Sequence, residues 1–238
     1  MCIRDRELGL ISRSKDIKKV SMRELGLATS LGWNGATTVS STMHIAKRAN
    51  IEVFATGGIG GVHRDVGQSF DISQDLAALS RISMVVVSAG AKSILDLPKT
   101  VESLETLGIC MVGFKTNEFP SFYSRSSGIK EITKVNSVEQ ISEIFLNNRF
   151  LNTLGATLVL NPAPAESEIP LEIMDPIIHS AVAELNKRKI EGKMVTPFLL
   201  SYIYKKTKGK SLDVNISLAL NNVQLGAKIA KSLNARGG

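Results

Sequence analysis

The chain has 238 residues, with 29 basic against 22 acidic side chains and a net charge of +7. That length suits one large domain or two small ones, and a hydrophobic content of 43% supports a sizeable core. No apolar run approaches the roughly 20 residues that span a bilayer, an aromatic content of 5% is too small for a base-stacking platform, and two cysteines give no disulfide framework.

The basic balance fits an anionic metabolite at least as well as nucleic acid, because the lysines are scattered, with local clusters only over 15–19 and 205–210. The opening MCIRDRELGL is charged throughout and carries no secretory signal. Cys2 and Cys110 then fit a reducing compartment, and the cytoplasm is the expected location. Residues 1–17 read as a non-native or poorly ordered start, and 18–238 as a single domain that is partial at its amino terminus.

In chain order, 34–38 (Asn-Gly-Ala-Thr-Thr) predicts a turn and cap before a helix ending near Arg48. A short buried strand follows over 51–55, then a glycine loop at 57–61. Residues 71–79 predict a helix, with Asp71 and Gln74 spaced as a capping box. Strands are expected over 84–87, 109–112 and 156–160, with helices near 101–107 and over 138–147. The stretch 115–133 reads as irregular and carries Phe119, Phe122 and Tyr123. Asn161-Pro-Ala-Pro is a stiff loop, since proline fixes φ and removes a donor. Helices over 171–189, 197–207 and 212–233 close the chain. Alternating strands and helices predict an α/β class fold, a three-layer α/β/α arrangement on a partly parallel mixed sheet.

The chemistry gathers between Val53 and Leu97. Gly57, Gly58, Gly60 and Gly61 would let backbone approach a ligand closely. Neither dinucleotide nor P-loop spacing is met: Gly58-x-Gly60 runs on to His63, and no Gly-Lys-Ser/Thr follows. A tight strand-to-helix turn is the plainer explanation of the loop. Asp71 and Asp75, four apart, would share one face of a helix start, with Ser73 between them, and carboxylates suit Mn²⁺ or Mg²⁺. A plain cap at Asp71 and a structural His63 are the competing readings.

Lys92 follows MVVVSAGA, at the carboxyl end of a strand expected to be buried, where ligand crevices of α/β sheets lie. Desolvation there would lower its pKa and free the amine for a Schiff base with a sugar aldehyde. A helix start beside Ser93 would act in the same direction. Lys19 is a candidate phosphate clamp, and Asn215 on an apolar helix a candidate for orienting a ligand. Alone, each is equally an ordinary surface charge or a structural amide.

NGATTVSSTM, VFATGGIGGVHR, FDISQDL, SAGAKSILDL, Asn161-Pro-x-Pro, TPFLL and VNISLALNN together resemble the pseudouridine-5′-phosphate glycosidase family, which includes the indigoidine synthase A-like proteins. The resemblance runs from about Lys18 to the end of the chain. It implies an α/β/α fold, typically a homotrimer, that reversibly splits pseudouridine 5′-phosphate into uracil and ribose 5-phosphate. It also implies that Lys92 forms the covalent adduct with sugar C1′, that Asp71 is the Mn²⁺ ligand, and that Lys19 binds phosphate. Val39, Ser73, Gln74 and Asp75 fall at substrate-contacting positions, and His63 and Asn215 align with active-site residues. The family's proton-donor glutamate lies in a segment that nothing here matches, and neither Glu7 nor Glu24 replaces it. Little or no turnover is therefore expected of the chain as it stands. A Schiff-base sugar-phosphate aldolase and a non-catalytic sugar-phosphate-binding fragment remain the alternatives.

Overall fold

The apolar runs expected to be buried strands do assemble into a sheet, and its strands run the same way. The computed structural model describes Gly9, Arg13, Ser14 and residues 16–190 and 192–236. Most of the expected irregular start, 1–17, lies outside the described residues, as does Glu7. The first elements are β1 (Lys18–Val20), a 3-10 turn over Met22–Glu24, α1 (Leu25–Ser30), β2 (Gly35–Thr37) and α2 (Val39–Arg48). They are followed by β3 (Val53–Ala55), α3 (Val66–Ser69), α4 (Gln74–Leu79), β4 (Val85–Ser88) and α5 (Leu97–Thr106). The rest comprises β5 (Cys110–Phe114), β6 (Thr133–Val135), α6 (Val138–Phe150), β7 (Thr157–Leu160), α7 (Leu171–Lys187), α8 (Val195–Lys206) and α9 (Lys210–Arg236).

The main sheet has the order β3-β4-β7-β5-β6, and β1-β2 form a separate pair. The sequence predicts a mixed sheet, but every pairing between these strands is parallel. Antiparallel pairing is confined to isolated bridges such as Val62–Ile72 and Gly90–Ser121. Continuous Val/Leu runs suit a parallel sheet because both of its faces are covered. Val85, Val87 and Val159 face α6 and the second half of α9, through Ile141, Phe145, Leu225 and Ile229. Val86, Leu158 and Leu160 face the opposite layer, with Met43, Leu76, Leu104, Met174 and Leu199. The result is the expected three layers. Each fully buried aliphatic side chain contributes roughly 1.5–3 kcal/mol.

Several boundaries differ for physical reasons. The turn expected at 34–38 is instead strand β2, because Lys18, Lys19 and Val20 supply a partner that the local sequence does not reveal. The helix expected from 71 begins at Gln74, since Ser73 is its cap and its hydroxyl accepts from the Asp75 N–H. The helix expected near 101 begins at Leu97, where Asp96 accepts from the Lys99 N–H and Pro98 sits in the first turn. Because the main-sheet strands are parallel, their carboxyl ends meet on one edge, and the candidate residues are gathered there.

Candidate active site

The loop that carries Lys92 is an extension of the sheet. Past the ends of β3 and β4 the parallel ladder continues through Ala89 N–H to Gly57 O (3.0 Å), Ile59 N–H to Gly90 O (3.0 Å) and Lys92 N–H to Ile59 O (3.1 Å). The glycine loop is thus the neighbouring strand of the lysine's own segment. Gly90 has φ +80°, and a Cβ there would collide with the Pro120 carbonyl. The Phe122 N–H donates to Ala89 O at 3.1 Å, which fixes the segment from the other side. Phe122 itself has φ +59°, a costly conformation for a bulky residue.

Protein packing already requires glycine at three of the four positions. A Cβ at Gly58 would lie 2.6 Å from the Phe122 ring, and one at Gly61 would lie 2.5 Å from Thr100. At Gly60 the Ser73 hydroxyl already fills the space. The tight strand-to-helix turn expected here is not formed: the loop runs on as extended backbone paired with 89–92, and the next helix starts only at Val66.

Lys92 is half-buried in a cleft of about 1840 Å³ that also receives Lys19, Val39, His63, Asp71, Ser73, Gln74, Asp75 and Asn215. A small-molecule site occupies about 300–1,000 Å³, so the cleft extends past the ligand-sized part, along Glu102 and Thr106 of α5. Burial pushes the Lys92 amine below its ordinary value of 10.5; the Asp75 charge opposes this, and the Lys19 charge reinforces it. The helix-start contribution expected at Ser93 is absent, because Lys92 enters a turn and α5 starts only at Leu97. Desolvation carries the shift instead.

Asp75 is nearly fully buried, at 4% exposure. Its Oδ1 accepts from the Ser40 N–H at 2.9 Å and its Oδ2 from the Gly60 N–H at 2.8 Å. One carboxylate thereby ties the first turn of α2 to the glycine loop, and supplies the counter-charge of Lys92. It does not share a helix face with Asp71, as the spacing predicts. Asp71 precedes α4 and pairs back across the loop: His63 N–H donates to Asp71 O (3.0 Å) and Ser73 N–H to Gly61 O (2.9 Å). This places His63 Nε2 3.7 Å from Asp71 Oδ2 at the rim.

The other candidates divide by how far they are committed to the protein. Gln74 accepts from the Arg23 N–H at 3.1 Å, which joins α4 to the 3-10 turn after β1. Val39 stands at the first position of α2, behind the cap Thr38. Lys19, on β1, is exposed to the cleft. Asn215 reaches the glycine loop from α9, and its Oδ1 lies 3.2 Å from where a Gly57 Cβ would stand. Glu24 is held by Ser21 and Arg23: its carboxylate accepts from the Ser21 N–H (2.8 Å) and the Ser21 hydroxyl on one oxygen and from Arg23 Nε (2.9 Å) on the other. Tyr123 is 3% exposed behind Phe122, and burial raises its phenol to about 12.

Among the described residues no three His, Cys, Asp or Glu side chains come together to cage a metal. The Asp71 carboxylate is 43% exposed at the cleft rim, while both Asp75 oxygens already accept backbone N–H groups. Such a donor set fits a hard divalent ion held by one carboxylate and otherwise by water or a substrate phosphate. The sequence reading noted Phe122 and Asn161 without a role at the site and gave none to Ser40, Thr100 or Asn222, all of which bear on this wall. Their signal is tertiary, except that two adjacent asparagines, Asn221 and Asn222, in an apolar helix ask for buried partners.

Residues 2–232 match the family model described as indigoidine synthase A like protein. The chain is 47% identical over 228 residues to a pseudouridine-5′-phosphate glycosidase of Staphylococcus aureus, spanning 96% of this chain and 74% of the relative. An enzyme of the same name from Petrotoga mobilis is also 47% identical, with the same coverage. The prealnumycin C-glycosynthase AlnA, solved in complex with ribulose 5-phosphate, superposes with a TM-score of 0.92 at 32% identity, over 99% of this chain and 78% of that one. An indigoidine synthase A-like protein of Thermotoga maritima gives a TM-score of 0.88 at 42% identity, over 96% and 75%. The chain belongs to the indigoidine synthase A-like family.

Proposed function

We propose that this protein is an enzyme that makes and breaks the carbon–carbon glycosidic bond of pseudouridine 5′-phosphate, with uracil and ribose 5-phosphate as the other side of the equilibrium. The observation that carries the reading is the amine of Lys92, lowered by burial at the carboxyl edge of a parallel sheet and sharing its cleft with Lys19. Relatives of the same name at 47% identity support it, as does a structural neighbour that binds a pentose 5-phosphate.

The chemistry runs as follows. The Lys92 amine bonds to sugar C1′ as the ribose ring opens, leaving an amino-substituted C1′ still attached to uracil C5. A proton delivered to uracil C5 makes uracil the leaving group, which keeps the electron pair of the broken bond. The nitrogen lone pair fills the deficit at C1′ and leaves a lysine iminium. Water then releases ribose 5-phosphate and restores the amine. Covalent catalysis divides one hard step into easier ones, and a neutral amine near physiological pH is its first requirement.

In this reading Lys19 and the N-terminal turn of α2 at Val39 hold the phosphate end of the substrate. Asn215 and His63 orient the sugar and base. Ser73, Gln74 and Asp75 are committed to the protein and shape the wall the substrate meets. Asp71 would hold Mn²⁺, which supplies charge neutralisation for substrate oxygens when bound. The proton for uracil C5 is not assigned to Glu24, whose carboxylate serves Ser21 and Arg23. Residues 18–238 act as one domain within a cytoplasmic homotrimer. Among the described residues, no helix is long and apolar enough to cross a membrane.

Reductive trapping tests the reading. The protein is incubated with ribose 5-phosphate, Mn²⁺ and cyanoborohydride, digested, and mapped by mass spectrometry. A pentose phosphate on Lys92, absent from Lys92→Ala, is the expected result. A folded protein labelled elsewhere or not at all would contradict it. Pseudouridine 5′-phosphate formed when uracil is added, even at the low turnover expected of this chain, separates a glycosidase from a sugar-phosphate aldolase.

A further inference from the structure

Asn222 is completely buried on α9, 0% exposed, and the mechanism above does not use it. Its Nδ2 donates to the Thr56 carbonyl at 2.8 Å, with a longer contact to Gly57 O at 3.5 Å. Its Oδ1 accepts from Asn161 Nδ2 at 2.9 Å, and Asn161 is itself 6% exposed. Thr56 follows β3 directly, and Asn161 follows β7 directly. In the sheet, β3 and β7 lie on either side of β4, the strand that runs on to Lys92. The two asparagines therefore form a brace over the end of β4, joining its left and right neighbours.

The brace acts on the site at two points. Gly57 O also accepts the Ala89 N–H at 3.0 Å, the first rung of the ladder that ends at Lys92. Asn215 stands seven residues before Asn222, two turns along the same helix and on the same side. Fixing Asn222 on Thr56 therefore fixes how far Asn215 reaches toward Gly57. No other neutral side chain of this size offers a donor and an acceptor in one rigid plane. Leucine would strand the Thr56 carbonyl and take the partner from the Asn161 amide.

We propose that Asn222 is a positioning residue for Lys92 and Asn215, acting through Thr56 and the glycine loop. The proposal rests on the reading of Lys92 as the residue that bonds the sugar. Phosphate capture belongs to β1 and α2, which the brace does not touch. Loss of the brace should then slow bond formation without weakening sugar-phosphate binding.

The test follows adduct formation with ribose 5-phosphate under cyanoborohydride, as a rate against sugar concentration, in the wild type, Asn222→Asp and Asn161→Ala. Asn222→Asp keeps the acceptor for Asn161 and loses the donor to Thr56. Asn161→Ala breaks only the far half of the brace and lies at a surface groove with Lys115 and Lys228, so it remains informative where the buried carboxylate prevents folding. Rates are normalised to folded protein by circular dichroism. The expected result is a maximal rate lower by about tenfold or more in Asn222→Asp and by a few-fold in Asn161→Ala, since sub-ångström misplacement of a reacting group is costly. The half-saturating sugar concentration should stay within about twofold in both, because uniform binding is untouched. A folded variant with the wild-type maximal rate, or one whose loss lies wholly in half-saturation, overturns the positioning role. A wild type that forms no adduct at Lys92 overturns the function on which it rests.

Discussion

Two walls of the same cleft are built in opposite ways. The Lys92 wall is pinned at every step. Ladder bonds run to Gly57, Ile59 and Gly90, Phe122 holds Ala89, and Asp75 spends both carboxylate oxygens on backbone N–H groups. The Asp71 rim is loose: Asp71 is 43% exposed on its side chain, Phe70 before it is 81% exposed, and His63 stands 3.7 Å from the carboxylate. The contrast separates two kinds of task. A lysine that must give up its proton more readily than an exposed one needs a dry and rigid setting, because desolvation is what lowers its pKa. In the proposed function Asp71 shares an ion with water and substrate, a task that needs free lone pairs and room.

Substitutions can break this comparison. The largest effect is expected from Lys92→Met, which removes all sugar labelling at that position in the trapping assay. The same variant should melt at a higher temperature at neutral pH. The folded chain holds the amine below 10.5, so protonating it there costs stability that is recovered only as pH rises toward 10.5. A lower melting temperature would mean that the ammonium is well accommodated and the wall is not dry.

Gly90→Ala should follow. It forces a Cβ into the Pro120 carbonyl at a φ of +80°. A loss of about 3 kcal/mol or more in urea denaturation is expected. Asp75→Asn should cost about 2–3 kcal/mol, because its amide must face one backbone N–H with another donor. It should also let the Lys92 amine titrate still lower, since the Asp75 charge is what raises it. Asp71→Asn is expected to change stability by no more than about 0.5 kcal/mol. Its effect should be confined to the Mn²⁺ dependence of trapping. If Asp71→Asn destabilised the fold as much as Asp75→Asn, the distinction between the two walls would fail.

The sequence was most legible where a residue's role follows from its own chain neighbourhood. MVVVSAGAK exposes a buried strand ending in a lysine, and Lys92 is found there. Uniform Val/Leu runs made a sheet covered on both faces readable, though not its fully parallel pairing. The misreadings came where a distant partner decides. Asp71 looks like a cap because Gln74 follows three residues later, yet Ser73 takes the role once Gly61 and His63 pair back on 71–73. Lys19 could not be told from a surface charge until β1 paired with β2 and brought it to the cleft. The four glycines looked like a ligand cradle because nothing local announces Phe122, Ser73 or Thr100 as their neighbours. The Asn161–Asn222 brace joins residues far apart in the chain, beyond the reach of any local pattern.

The account stands on a desolvated amine at Lys92, and the pH profile of sugar trapping at that residue tests it most directly. Adduct at Lys92 would be quantified by peptide mass spectrometry after short exposures to ribose 5-phosphate and cyanoborohydride across the alkaline range. An exposed lysine away from the cleft, such as Lys231, would serve as the internal reference. The account predicts that labelling at Lys92 rises with an inflection clearly below 10.5, and that it exceeds labelling at Lys231 near neutrality. An inflection at or above 10.5, or equal labelling of the two lysines at every pH, would contradict it.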